Sequence, residues 1–310
     1  MICKHFICSS SLLAFIALFI CASSLSAPSI DYIKHEIDND FNGAWCVHTA
    51  DVDGDYDIDI IGAARFDHTI SWWENQENEF VRHDVDTSTS RTHGVFAIDI
   101  DEDDDIDILA TSWYYGQVLW WENDGNQNFD KHLIAEDYSG AHSIFAIDID
   151  GDFDIDILAS AATADKICWW ENDGEESFVR HVIAENYDGA RKVYATDMDN
   201  DNDVDILGVA MDGNEISWWE NDGSQVFTKH ALDDNFVYAR GVYAIDLDSD
   251  NDIDVLGAGR YYGHIAWWEN DGNQNFTKHI IDQSCNGASS VFAADFDLDE
   301  DIDIIGTARY

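Results

Sequence analysis

Hydrophobic and polar positions alternate along this chain in short runs, separated by clusters of Asp, Asn and Gly. Between Val95 and Ile134 four such runs follow one another: VFAIDI from Val95, IDILA from Ile106, QVLWWEN from Gln117 and FDKHLI from Phe129. The runs are rich in β-branched and aromatic residues and follow a period of two, so each predicts a strand. The Asn-Asp-Gly sequence at Asn123 to Gly125 predicts the tight turn between the last two. No segment sustains a helical period, and the chain has a single proline.

The same four runs recur. The string DVDGDYDID starts at Asp51, and its relatives start at Asp99, Asp148, Asp197, Asp246 and Asp295, spaced by 48 and then four times by 49 residues. WWEN keeps the same phase, its first Trp at Trp72, Trp120, Trp169, Trp218 and Trp267. So does an aromatic-x-basic-His run beginning at Phe80, Phe129, Phe178, Phe227 and Phe276. Four short antiparallel strands in each repeat of this length predict an all-β fold, a β-propeller of six blades or seven. A blade hides its faces only against its neighbours, so the Trp pairs are expected to pack between blades.

Between the first two strands of each repeat, aspartates occupy positions 1, 3, 5, 7 and 9 of one loop. Five carboxylates in nine residues repel one another unless a cation sits among them. An all-oxygen, all-carboxylate donor set suits calcium, which takes six to eight oxygens, better than magnesium, which keeps its waters. The loop is not an EF-hand: position 12 is Gly62, Ala110, Ala159, Gly208, Gly257 or Gly306 rather than Glu, and strands flank it. The ninth position is left to close the cage.

The runs DVDGDYDIDIIGAA from Asp51 and DIDGDFDIDILASA from Asp148 resemble FG-GAP or VCBS repeats, which build integrin α-chain propellers and many bacterial surface proteins. The resemblance covers essentially everything after residue 30 and implies about one calcium ion per blade, in the first hairpin. It also implies that side chains at positions 1, 3, 5 and 9 bind the ion, with a backbone carbonyl at position 7. Carried over, the ligands are Asp51, Asp53, Asp55 and Asp59 in the first loop, then Asp99, Asp101, Asp103 and Asp107 in the second. They continue as Asp148, Asp150, Asp152 and Asp156; Asp197, Asp199, Asp201 and Asp205; Asp246, Asp248, Asp250 and Asp254; and Asp295, Asp297, Asp299 and Asp303. The family often places Gly at positions 4 and 6. Here only Gly54 and Gly151 keep the first and none keeps the second, and the last loop, with Leu298 and Glu300, departs furthest. The extra Asp at position 7 is expected to face solvent or support the ligands from outside.

Composition narrows the partners. The 310 residues carry a net charge of −49, from 64 acidic and 15 basic side chains. Such a field repels phosphate backbones and anionic lipid, so neither nucleic acid nor membrane insertion of the mature chain is expected. With 12 Trp, 12 Tyr and 16 Phe the chain has ample core material and does not read as disordered. Residues 1–27 read as a signal peptide: Lys4 and His5, an apolar run from Leu12 to Ala22, then ASSLSA. The alternative is a retained anchor, although the run is short for a bilayer. The expectation is a secreted or cell-surface protein whose residues 28–310 form a single propeller domain. Cys46, Cys168 and Cys285 share no metal-ligand spacing and read as mostly buried small hydrophobes.

The acidic loops and the Asn-Asp-Gly turns share one end of each sheet, which leaves the loops between strands two and three, and those between repeats, at the other. Those loops are rich in aromatics: Trp113, Tyr114, Tyr115, Tyr138, Tyr187, Phe236, Tyr238, Tyr261 and Tyr262, with Arg65, Arg240 and Arg260 in or beside them. Stacking on sugar rings or anchoring a protein partner competes here with ordinary loop packing. The strongest ligand candidates are Trp113, Tyr114, Tyr115, Tyr261 and Tyr262. One His per repeat (His83, His132, His181, His230 and His279) invites a metal reading, but their spacing favours packing at the core edge.

No loop gathers an acid, a base and a nucleophile, so no enzyme is expected. The leading function is an extracellular recognition or adhesion module with a glycan or protein ligand. The alternatives are a structural subunit of a surface layer or filament, and a polysaccharide lyase. The chain opens with a fourth-strand motif, YIKHEI from Tyr32, and stops at Tyr310 after a sixth loop and second strand, without a third strand for that blade. A continuation past Tyr310, or a strand donated through self-association, is expected to complete it.

Overall fold

The computed structural model describes residues 6–10, 35–77, 79–261 and 263–309. It is all-β, with the repeats in two compact units, Ile37–Val193 and Met1–Glu36 with Tyr194–Tyr310. The unit Ile37–Val193 holds three four-stranded antiparallel sheets, each in sequence order. The first is β2 (Ala44–Ala50), β3 (Asp59–Ala64), β4 (Thr69–Gln76) and β5 (Glu79–Asp86), preceded in the chain by β1 (Phe6–Ser10). The second is β6 (Thr92–Ile98), β7 (Asp107–Ser112), β8 (Gln117–Asn123) and β9 (Phe129–Ala135). The third is β10 (Ala141–Ile147), β11 (Asp156–Ala161), β12 (Lys166–Asn172) and β13 (Phe178–Glu185).

The other unit repeats the pattern. One of its sheets runs β14 (Ala190–Thr196, of which Tyr194 onward belongs to this unit), β15 (Asp205–Ala210), β16 (Glu215–Asn221) and β17 (Phe227–Asp233); the next runs β18 (Ala239–Ile245), β19 (Asp254–Gly259), β20 (His264–Asn270) and β21 (Phe276–Asp282). The last repeat supplies only β22 (Ala288–Ala294) and β23 (Asp303–Ala308), with β1 pairing parallel to β23. The expected fourth-strand role of YIKHEI is not seen: its first three residues lie outside the described residues, and His35–Ile37 form no strand. β1 falls within the stretch that reads as a signal peptide; the rest of that stretch lies outside the described residues. Among the described residues no helix is long and apolar enough to cross a membrane.

Adjacent residues of a strand point to opposite faces, so each WW pair gives one indole to each side of its sheet. Within Ile37–Val193, Trp72 of the first sheet packs in one cluster with Trp121 of the second, and Trp120 of the second with Trp170 of the third. In the other unit Trp218 and Trp268 share a cluster, and Trp267 packs against Val291 and Ile304 of the last hairpin. The Trp pairs therefore do pack between sheets. The small residue at position 12 is explained by the same packing: a Cβ on Gly62 would meet the Trp73 ring at 2.8 Å.

Cys168 is buried and Cys46 half-buried, both as free thiols. Cys285 is buried, as its reading expects, and is disulfide-bonded.

Candidate functional site

The acidic loops share one construction. In the third loop both carboxylate oxygens of Asp148 accept backbone N–H groups, Gly151 at 2.7 Å and Phe153 at 3.0 Å, so the first aspartate winds the loop around itself. Asp152 accepts the N–H of Asp154 at 3.0 Å. Asp156, the ninth residue, is buried and accepts from Ile149 at 2.8 Å and from Asn172, the Asn of WWEN, at 2.9 Å. Each of the first five loops repeats this double anchor; in the second, Asp107 accepts from Ile100 at 3.2 Å and Asn123 at 2.7 Å.

In three of the loops the two ends therefore converge. Carboxylate oxygens of Asp51, Asp53 and Asp59 lie within 4.8 Å of one another, as do those of Asp99, Asp101 and Asp107, and of Asp197, Asp199 and Asp205. In the third and fifth loops the groups are Asp148, Asp150 and Asp152, and Asp246, Asp248 and Asp250. One oxygen of the position-3 aspartate, Oδ1 of Asp101, Asp150, Asp199 and Asp248, is buried and accepts no hydrogen bond. A buried acceptor with no donor, facing other carboxylates, is what a hard cation would fill. Electrostatics agree: burial, then Asp103 and Asp99, push Asp101 up to about 6. Burial pushes Asp107, Asp156, Asp205 and Asp254 up to about 7 despite their backbone hydrogen bonds. The residues present thus fit a divalent cation held by oxygen.

The position-7 aspartates lie outside the groups. Asp154 and Asp105 sit against the turn glycines, where a Cβ on Gly174 or Gly125 would touch their carboxylates. Positions 4 and 6 both take left-handed φ in every loop, by Gly54 (+74°) and Gly151 (+81°) but also by Phe153 (+82°), Leu298 (+58°) and Glu300 (+71°). The last loop is therefore wound like the others, against the expectation drawn from its sequence, because Asp295 accepts from Asp299 and Glu300 as its counterparts do. A side chain in this region costs about 1–2 kcal/mol, of which glycine would return part. Phe153 is 83% exposed and has little packing to lose, so Phe153→Gly is expected to raise the melting temperature by about 2–4 °C. A lower melting temperature would mean that the ring is held by contacts rather than merely tolerated.

At the opposite end of the sheets, Tyr114 (61%) and Tyr115 (56%) are exposed and meet edge to face at 5.1 Å, and Tyr261 is exposed against Tyr238 at 4.4 Å. Trp113 is half-buried, and Tyr262 lies outside the described residues. Tyr138, Tyr187 and Phe236 are buried and leave the candidate face. Tyr138 donates its hydroxyl to the Ala159 carbonyl at 2.7 Å and sets its edge on Trp170, while Phe236 does the same on Trp268. The repeated histidines pack at the edge of the core: His181 stacks on Trp169 at 4.7 Å with Nε2 2.6 Å from Glu171, and the other four repeat the arrangement.

Sequence reasoning missed Trp45, His93 and His142. Trp45 stacks on His93 at 4.4 Å, His93 lies 5.9 Å from Trp113, and the His142 ring stands edge-on to His93 at 4.9 Å. His142 Nδ1 donates to the Arg191 carbonyl at 3.0 Å, and Arg65 lies over Trp45 at 4.8 Å. The signal was available: the residue six places before each loop is Trp45, His93, His142, Arg191 or Arg240, a ring or a guanidinium in five repeats of six.

A family model described as FG-GAP-like repeat matches residues 99–159, 148–208, 197–257 and 246–306. No curated protein matches the sequence. Among solved structures the chain is similar to a lectin of Agrocybe aegerita, solved for its recognition of non-reducing terminal N-acetylglucosamine. The identity is 21% and the TM-score 0.60, over 84% of this chain and 74% of that one. It is also similar to a catalytically inactive virginiamycin B lyase from Staphylococcus aureus, at 11% identity and TM-score 0.58, over 82% of this chain and 75% of that one. A chain of a nidogen/laminin complex is similar at 11% identity and TM-score 0.50, over 72% and 78%. These likenesses are of fold.

Proposed function

Because the chain belongs to the FG-GAP-like repeat family, we propose that it is a secreted, calcium-loaded β-propeller of six blades that recognises an extracellular glycan and catalyses no reaction. The observation that carries this reading is the division of labour within each sheet. One end holds a carboxylate cage repeated with the same hydrogen bonds, as a structural staple is, while the other end varies between repeats and exposes Tyr114, Tyr115 and Tyr261. Oxygen donors alone favour calcium, and each ion would discharge one loop and pin it between two strands. Exposed tyrosines beside guanidinium groups suit the faces and hydroxyls of sugars. The lectin likeness supports the reading only as precedent for the fold.

The test is a glycan array probed with the chain in calcium and again in chelator. Calcium-dependent signal on a restricted set of glycans is expected, lost in the double variant Tyr114→Ala, Tyr261→Ala with the melting temperature retained. Absence of signal on every glycan with the calcium-loaded chain would remove the glycan reading, and unfolding of the double variant would return these tyrosines to the core.

A further inference from the structure

Each repeat enters its first strand through a residue with left-handed φ. In four repeats that residue is glycine: Gly43 (+74°), Gly140 (+76°), Gly189 (+69°) and Gly287 (+81°). The second repeat places Arg91 there, at +52°, and the fifth Tyr238, at +54°. The site takes glycine in four sister repeats, so the side chain of Arg91 is retained against a conformational cost, and such strain concentrates at ligand sites. The backbone of Arg91 is fixed on both sides: its N–H donates to His68 Nδ1 at 3.2 Å and its carbonyl accepts from Trp113 at 3.0 Å. Its guanidinium lies 5.7 Å from the ring centres of both Trp113 and Tyr114.

Arg91 thereby ends a column that runs from Arg65 over Trp45, His93 and Trp113 to the exposed Tyr114. Arg82 and Lys131 of this unit also lie over rings, Phe41 at 5.0 Å and Trp121 at 5.1 Å, but each is at the same time held by a carboxylate. Arg82, Lys131, Lys166 and Arg180 are ion-paired to Asp38 and Asp84, Asp86, Glu185 and Asp137 at 2.6–3.2 Å. A guanidinium laid on rings uses its π face and keeps its N–H edge for a planar anion, and a carboxylate matches that edge with two bonds.

We propose that Arg91 and the Tyr114–Tyr115 pair form a binding site for a carboxylated sugar residue, its ring against the tyrosines and its carboxylate received by the guanidinium. This rests on the reading of this end of the sheets as a glycan-binding face, and it adds the class of sugar. It also answers a difficulty posed by the net charge of −49: an acidic sugar is repelled by the protein as a whole, so a cation presented on a preformed aromatic platform is what would admit it.

Titration calorimetry of the full, calcium-saturated chain tests the site. The probes are hexuronate trimers and sialyl-lactose, each beside its neutral counterpart, the methyl ester and lactose. At least one acidic probe is expected to bind tenfold or more tightly than its counterpart. Arg91→Gly is expected to lose that preference at least tenfold while melting at the same temperature or higher, because it relieves the backbone. Arg91→Gln, which keeps a side chain there, is expected to lose it too. Equal binding of acidic and neutral probes, or unchanged binding by Arg91→Gly, overturns the proposal and leaves a neutral-glycan face standing. A sharp drop in the melting temperature of Arg91→Gly overturns it by making the residue structural. If no acidic probe binds, the proposal falls, and the array decides separately whether the face binds glycans at all.

Discussion

Removing divalent ions from the full chain at pH 8 is expected to lower its melting temperature by roughly 20 °C or more. Extracellular oxygen cages hold calcium at about 10⁻⁴–10⁻³ M, so at ~10 mM calcium each filled loop contributes roughly 1.4–2.7 kcal/mol by mass action. Six such loops together approach the ~5–15 kcal/mol by which an ordinary domain is stable. The effect carries a pH signature. Folding raises Asp107, Asp156, Asp205 and Asp254 to about 7, chiefly by burial, against about 3.9 in an unfolded chain. A raised carboxyl means that the folded, ion-free chain binds more protons than the unfolded one, so its stability increases as pH falls through 7 towards 4. A calcium ion held in the cage would replace those protons. The gap between calcium and chelator melting curves is therefore expected to be widest at pH 8 and to narrow by pH 5.5. A gap that is absent at pH 8, or that widens on acidification, would contradict calcium as the staple.

Two substitutions in one loop are expected to act in opposite ways once calcium is withdrawn. Asp156→Ala leaves the N–H groups of Ile149 and Asn172 without their acceptor, at about 1–3 kcal/mol each. It is expected to lower the melting temperature by about 10 °C in calcium and to remain well below wild type in chelator, because its hydrogen bonds do not depend on the ion. Asp150→Ala removes a carboxylate whose Oδ1 has no protein donor and whose pKa is raised by burial and by Asp152. In calcium it is expected to destabilise by the share of one ion. In chelator it is expected to melt at or above wild type, since a desolvated and repelled charge has gone. Melting curves of both variants in both buffers decide the matter. If Asp150→Ala is equally destabilising with and without calcium, it packs rather than ligates.

Much of this was legible from the chain because the relevant forces are local. Alternation at period two marks the strands, Asn-Asp-Gly marks the turns, and carboxylates on every second residue mark the loops, since these patterns act within about ten residues. Adjacent tryptophans imply an indole on each face of a sheet without any knowledge of the neighbouring sheet. The repeat itself supplied the rest, since a 49-residue unit whose two faces are both apolar can hide them only against copies of itself.

Other features were decided by contacts between segments far apart in sequence. Tyr138 and Tyr114 occupy comparable aromatic loops, yet one is buried and the other 61% exposed. The difference is that Tyr138 finds Trp170 and the Ala159 carbonyl on the following sheet. The ninth aspartate reads as a ligand, but register brings Asn172 to Asp156 sixteen residues on, so that this carboxylate ties the loop to the neighbouring strand. The column from Arg65 to Tyr114 joins residues of separate sheets whose alignment appears in no single run of sequence. The chain by itself thus determined the strands, the repeat and the carboxylates that face one another, because backbone pleating and charge repulsion are settled locally. The tertiary structure decided which aromatics are core, which carboxylate holds the loop closed and where cations meet rings, because burial depends on what the next sheet places opposite each side chain.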